Sequence, residues 1–246
     1  HRLIAKELPG VIFAAGEGEH VLTALYGELK SDSPKLSALP NVSYFVDGDR
    51  EVAHPKRVLA LEEIEWLPAL DALPQAVANS KIIVARSSVG CSAHCTFCAI
   101  RIQYQESKPD GKGSASVGWR HSPVRRTAAL MKEYEKAGVT RMTFVDDEFG
   151  NEDMVFLERL SDALLAQGNR VKFDVAFRLD VISERKQKPE EQAYRLEVLR
   201  KLKRAGLYGI FVGLESGPPD QLKRYCKGIS IEEARKYLSV LIDLGF

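Results

Sequence analysis

Between about residue 80 and the C-terminus the chain repeats one pattern four times: a short β-branched run, then an amphipathic stretch with apolar residues at helical spacing. The strand candidates are "KIIVARSSV" (81–89), "TRMTFVDDE" (140–148), "RVKFDVAFRLD" (170–180) and "YGIFVGLES" (208–216). The first is followed by a polar, Gly-rich loop, "KPDGKGSASVG", before its helix "SPVRRTAALMKEYEKAG"; the others lead to "NEDMVFLERLSDALLAQG", "PEEQAYRLEVLRKLKRAG" and "SIEEARKYLSVLIDLG". Ser122 is the expected N-cap of the first helix, with Pro123 in its first position and Gly138 as its stop. Asn151 is the expected N-cap of the second, and Ser230 with Glu233 forms a capping box on the last. Mostly apolar strands alternating with helices imply an α/β fold with a parallel sheet covered by helices. A closed barrel of eight such units needs about 250 residues by itself. The four units are therefore expected to form a partial (β/α) TIM-like barrel, interrupted before a fifth strand at Gly245-Phe246.

Polar residues collect where each strand candidate ends. Cys91 follows the first, Asp146, Asp147 and Glu148 the second, Arg178 and Asp180 the third, Glu215 and Ser216 the fourth. Parallel βα folds bind ligands at the C-terminal ends of their strands. These residues are expected to converge on one site.

Three of the four cysteines, Cys91, Cys95 and Cys98, lie within "CSAHCTFC". A disulfide would leave a spare thiol and needs an oxidising compartment. A structural zinc site needs a fourth ligand, from His94, His121 or Cys226, and zinc ligands usually come as two separated pairs. An electron-transfer iron-sulfur cluster takes four cysteines and would recruit Cys226. Three cysteines alone can hold three irons of a 4Fe-4S cluster and leave the fourth open.

C-x3-C-x2-C after the first strand of a βα barrel, with Phe97 directly before the last cysteine, resembles the radical S-adenosylmethionine (SAM) superfamily. The resemblance implies a 4Fe-4S cluster on Cys91, Cys95 and Cys98 whose open iron binds the amino and carboxylate groups of SAM. It implies reductive cleavage of SAM to methionine and a 5′-deoxyadenosyl radical, which abstracts hydrogen from a substrate. It also implies site roles: Asp146 or Asp147 for the SAM amino group, Arg178 for its carboxylate, Glu215 or Ser216 in "GLESGPPDQLKRYCKG" for a further SAM contact, and Phe97 beside the adenine. Plainer readings stand beside each. Asp146 and Asp147 can cap a helix, Arg178 can be a surface ion pair, Phe97 can fill a gap, and Cys226 can be a semi-buried structural cysteine on the helical side. Arg120 and His121 carry no assignment.

Residues 1–75 follow another pattern. "GVIFAAGEGEHVLTALYGEL" reads as a buried strand, a Gly turn and a helix; "NVSYFVDGDREVAH" as a hairpin turning at Asp47-Gly48; and "LEEIEWLPALDALPQAVA", with Pro68 and Pro74, as a linker laid over a surface. This order resembles the end of the Rossmann-like cobalamin-binding domain that precedes the barrel in one radical SAM subgroup. Residues 1–75 are accordingly expected to be a C-terminal remnant of that domain, and 76–246 the partial barrel. Cobalamin would then serve a longer parent protein, and the implied reaction is methylation of an unreactive carbon or phosphorus centre. Rearrangement or ring contraction is an alternative, as is cobalamin-free radical chemistry on a small molecule, peptide or RNA. A zinc-stabilised binding module is the alternative of another class.

Lys plus Arg number 35 against 34 Asp plus Glu, a balance that gives no global field to select nucleic acid or an anionic membrane. No apolar run reaches the 18 or so residues of a membrane span, and "HRLIAKELPG" lacks the apolar region of a signal peptide. A cytoplasmic protein is expected. The first residue is His1 rather than Met, so the sequence is expected to be part of a longer chain. The expected partners are a small-molecule substrate and an external electron donor such as flavodoxin or ferredoxin.

Overall fold

The computed structural model describes residues 2–8, 10–46, 50–58, 60–63, 67–79, 82–182 and 188–246. The expected turn at Asp47-Gly48 lies outside them. The chain forms two compact units, His1–Ala60 with Ala99–Gly118, and Leu61–Cys98 with Trp119–Phe246.

The first unit begins with α1 (Arg2–Glu7), β1 (Ile12–Ala14), α2 (Gly18–Leu29), β2 (Val42–Val46) and β3 (Arg50–Ala53). The strand, helix and hairpin expected here all form, but β1 pairs antiparallel with β2, Ile12 opposite Tyr44, and β2 with β3. Among the described residues the unit has an antiparallel sheet and no parallel Rossmann-like layer. Nor is β1 buried: Ile12 and Phe13 are half-buried and Ala14 is exposed, because the core beneath them is small, built on Val21, Leu39 and Val42.

The second unit opens with α3 (Leu73–Ala78), β4 (Val84–Ala85) and β5 (Ser88–Val89). Leu67, Leu70, Leu73, Ala76 and Val77 pack against its core, so most of the expected linker belongs to this unit. The chain then returns to the first unit through α4 (Ile100–Gln103), β6 (Gln105–Ser107) and β7 (Ser114–Ser116). The Gly-rich stretch 108–118 is expected as a loop, and its "SAS", like the "QES" before it, shows no apolar alternation. They pair as a hairpin anchored by backbone, with Ser107 N donating to Lys56 O at 3.0 Å and Val58 N to Glu106 Oε1 at 3.1 Å.

The rest of the second unit is β8 (Arg120–His121), α5 (Val124–Lys136), β9 (Arg141–Phe144), α6 (Met154–Ala166), β10 (Lys172–Phe177), α7 (Pro189–Ala205), β11 (Leu207–Val212), α8 (Pro219–Arg224) and α9 (Ile231–Asp243). Strands β4, β9, β10 and β11 lie side by side in chain order, all parallel. This is how consecutive units are laid down in a (β/α) barrel. Strand alternation sends Met142, Phe144, Phe173, Val175, Phe177 and Leu207 into a core shared with Met131, Leu157, Leu160, Val198 and Leu202 of the helices. On the opposite face Val84 and Phe211 remain exposed. Helix α9 carries the expected capping box, with Glu233 N donating to Ser230 Oγ at 3.2 Å and Ser230 N to Glu233 Oε2 at 2.8 Å. The other two caps differ from expectation. Pro123 precedes α5 while Ser122 Oγ accepts from Arg126 Nη1, and α6 is capped by Asp153, which accepts from Phe156 N at 2.8 Å.

Candidate active site

The expected single strand 81–89 breaks in two, and a carboxylate causes the break. Ladder bonds from β4 to β9 end with Val145 N donating to Ala85 O at 2.8 Å. The next residue, Asp146, then takes the backbone N–H groups of Ser87, at 2.9 Å, and Ser88, together with both hydroxyls, Ser88 Oγ at 2.8 Å. A side chain thereby replaces the ladder, and β5 leaves the parallel sheet to pair antiparallel with β8. Asp146 is only 5% exposed, and burial pushes its pKa up to about 6 in spite of these bonds.

The same connection continues to grip the chain around the cysteines. Asp147 Oδ2 accepts from Gly90 N at 2.8 Å, and Asn151 Oδ1 accepts from Ser92 N and Ser92 Oγ, both at 3.0 Å. Beyond Cys95, Thr96 N donates to Tyr225 O at 3.1 Å and Thr96 Oγ1 to Arg224 O at 2.8 Å. Cys91, Cys95 and Cys98 are half-buried free thiols on this tethered loop. Ala93 N donates to Cys91 Sγ at 3.4 Å and Arg178 Nη1 to Cys95 Sγ at 3.6 Å, while burial pushes the Cys91 thiol up to about 11.

Arg178, at the end of β10, is fixed by two bonds to Asp180, Nε to Oδ1 at 3.0 Å and Nη2 to Oδ2 at 2.5 Å, and by Nη2 to Lys227 O at 3.1 Å. Burial disfavours its charge, yet Asp180, Cys95 and Glu148 outweigh that and raise its pKa. Its backbone N donates to Glu148 Oε1 at 2.8 Å. Lys227, with 8% of its side chain exposed, pairs with Glu215 Oε1 at 3.3 Å. Glu215 itself takes a left-handed φ of 68°, which costs a non-glycine residue about 1 kcal/mol or more. Glu148 is 4% exposed, and burial pushes its pKa up to about 8. Its Oε2 accepts no hydrogen bond among the described residues.

The structure therefore links Arg178 directly to the cysteine loop, and Glu215 to Arg178 through Lys227. Asp146 and Asp147 instead hold the loop's backbone. Phe97 is 51% exposed and meets Tyr225 edge-on at 4.9 Å, so it does not fill a gap. Ser216 is half-buried just beyond Glu215. Cys226 is exposed rather than semi-buried. It sits past the end of α8 with φ 51° and lines a cavity of about 490 Å³ with Leu222, Lys223 and Gly228. His94 is exposed, and His121 packs on Phe156 at 4.4 Å with Nδ1 on Ser122 O. From sequence Glu148 is placed only among the strand-end acids and Asn151 only as a helix N-cap, and Lys227 carries no role. For Glu148 the signal was present, as the third acid of "DDE".

The donor set suits a cubane held at three corners. Two N–H···S contacts are already formed, and the Arg178 guanidinium offsets the negative charge that thiolate ligands bring.

A family model for the radical SAM superfamily matches residues 86–246, and the chain belongs to that superfamily. A 4Fe-4S cluster and SAM are the family's cofactors. Among curated proteins, 4′-phospho-dehydrooxetanocin synthase of Priestia megaterium is 30% identical over 96% of this chain and 32% of its own length. An uncharacterised methyltransferase of Pyrococcus horikoshii is 24% identical over 89% of this chain and 43% of its own. Among solved structures, the cobalamin-dependent SAM radical enzyme OxsB with aqua-cobalamin bound superposes with a TM-score of 0.85 at 26% identity, over 99% of this chain and 33% of OxsB. The radical SAM methyltransferase TsrM of Kitasatospora setae, at 14% identity and a TM-score of 0.68, shares the fold over 96% of this chain and 44% of TsrM. The chain thus spans 32% to 44% of the length of these relatives. No helix among the described residues is long and apolar enough to cross a membrane.

Proposed function

We propose that this chain contributes the SAM-cleaving core of a cobalamin-dependent radical SAM enzyme, with Cys91, Cys95 and Cys98 as the cluster ligands. The observation that carries the proposal is the cysteine loop tethered at the C-terminal edge of the parallel sheet, with the Arg178 guanidinium 3.6 Å from Cys95 Sγ. A 4Fe-4S cluster held by Cys91, Cys95 and Cys98 would supply the electron for reductive cleavage of SAM to methionine and a 5′-deoxyadenosyl radical. The chain's residues bind and orient. Glu148, with one carboxyl oxygen uncommitted, takes the SAM ammonium group. Arg178, held by Asp180, takes the carboxylate, Glu215 and Ser216 contact SAM at the end of β11, and Phe97 lies against the adenine. Anaerobic reconstitution should load about four irons per chain, and dithionite with SAM should then yield 5′-deoxyadenosine. Stoichiometric zinc with no iron uptake would sink the reading in favour of a zinc-stabilised module.

Cobalamin, bound in a longer parent protein, would supply a methyl group to an unreactive carbon or phosphorus centre of a small molecule. The proposed setting is the cytoplasm, with flavodoxin or ferredoxin as electron donor. A second reading is radical rearrangement or ring contraction of the substrate without methyl transfer, and the relative of Priestia megaterium is named a synthase rather than a methyltransferase. Methyl-labelled SAM given to the parent protein separates the two, since label reaches the product only in the first.

A further inference from the structure

We infer that residues 146–151, "DDEFGN", are a template that sets the cluster loop, with Asp147 and Asn151 as positioning residues for the cysteine ligands. The inference rests on the cluster reading and extends it to Asp147 and Asn151, to which that reading gives no contact with cluster or SAM. Four backbone N–H groups flanking Cys91, those of Ser87, Ser88, Gly90 and Ser92, donate to side-chain oxygens of this one segment. Donors and acceptors advance together: 87 and 88 on Asp146, 90 on Asp147, 92 on Asn151. A segment serving only as a helix lead-in would not show this order, and α6 has its own cap in Asp153.

The segment also accepts backbone strain to make these contacts. Gly150, Asn151 and Glu152 all have positive φ, of 76°, 39° and 71°, and the two non-glycine residues each cost about 1 kcal/mol in that region. The turn is set from below, since a Cβ on Gly150 would lie 2.5 Å from Cδ2 of Leu157, which is fully buried in α6. Partners that orient metal ligands from outside typically govern affinity by about 10- to 100-fold. Here the oriented group is the backbone that carries Cys91 and leads to Cys95.

The test is the rate at which anaerobically reconstituted protein loses iron to a chelator, read without SAM and without turnover. Asp147→Ala and Asn151→Ala should lose iron on the order of 10-fold faster than wild type. Asp147→Asn and Asn151→Asp keep an acceptor oxygen and should restore the wild-type rate. In urea the metal-free alanine variants should stay folded, losing at most about 1–3 kcal/mol for the missing acceptor, and the conservative variants should match wild type. Ser92→Ala, which removes one of the two donors to Asn151, should give an intermediate rate and serves if Asn151→Ala does not fold. Wild-type rates in the alanine variants, or no rescue by the conservative ones, would overturn the template. A wild-type chain that takes up no iron would instead refute the cluster reading beneath it.

Discussion

Asp146 offers a quantitative test of how a buried carboxylate holds the broken first strand. Its pKa of about 6, against an ordinary 3.8, corresponds to about 3 kcal/mol of differential stability. The folded pKa is the higher one, so the contribution is fully present below pH 3.8 and is lost as pH rises through 6. Asp146→Asn cannot ionise, and its Oδ1 can still accept from Ser87 N and Ser88 N while its amide donates to Ser87 Oγ. Relative to wild type, Asn should therefore gain stability between pH 4 and pH 7 and plateau near 3 kcal/mol above its low-pH difference. Asp146→Ala shares that pH-dependent rise relative to wild type, since it cannot ionise either, but leaves two buried N–H donors without acceptors, which lowers its stability at every pH by about 2–6 kcal/mol. Urea unfolding followed by circular dichroism across this range measures both. A wild-type minus Asn difference that stays flat with pH would refute the argument, because it would mean that the carboxylate is not desolvated in the fold.

Three further outcomes are expected. If Glu148 takes the SAM ammonium, SAM affinity should rise about tenfold per pH unit up to about pH 8, the value to which burial pushes its pKa; calorimetric titration of Glu148→Gln should show no such slope, and a flat wild-type profile would remove Glu148 from the site. Gly150→Ala should destabilise the chain by about 2–4 kcal/mol, combining left-handed strain with overpacking against Leu157, and a urea midpoint within error of wild type would contradict the close approach. Cys226→Ser should retain the full iron content and absorbance of the reconstituted chain, because three thiolates suffice; loss of the cluster would point to a four-cysteine electron-transfer centre.

The architecture of the second unit was legible because its signal is local. Alternating apolar runs and capped amphipathic helices specify βα units, and the strands assemble in chain order as such units do. The capping box at Ser230 and Glu233 was readable for the same reason. The Ser107 hairpin was not, since its pairing rests on backbone bonds between polar residues that no hydrophobic period announces. The break in the first strand was equally hidden: "KIIVARSSV" keeps its strand composition throughout, and only Asp146, far away in sequence, decides that the ladder stops at Ala85.

The acids "DDE" show why position at a strand end does not by itself assign a ligand role. A strand-end carboxylate faces two claimants, an incoming cationic ligand and the unpaired N–H groups of the neighbouring strand as it leaves the sheet. The chain's own donors are already in place, and a buried N–H without an acceptor costs about 1–3 kcal/mol. The first two acids are accordingly claimed by Ser87, Ser88 and Gly90. The third has one oxygen on Arg178 N and one uncommitted, and burial pushes its pKa up to about 8, which favours the protonated form at neutral pH. That is the state expected of a carboxyl whose counter-charge arrives with a ligand: the pair of charges forms together, and neither waits buried alone. Under the proposed function, "DDE" would divide into two residues that hold the cysteine loop and one that meets what the loop binds.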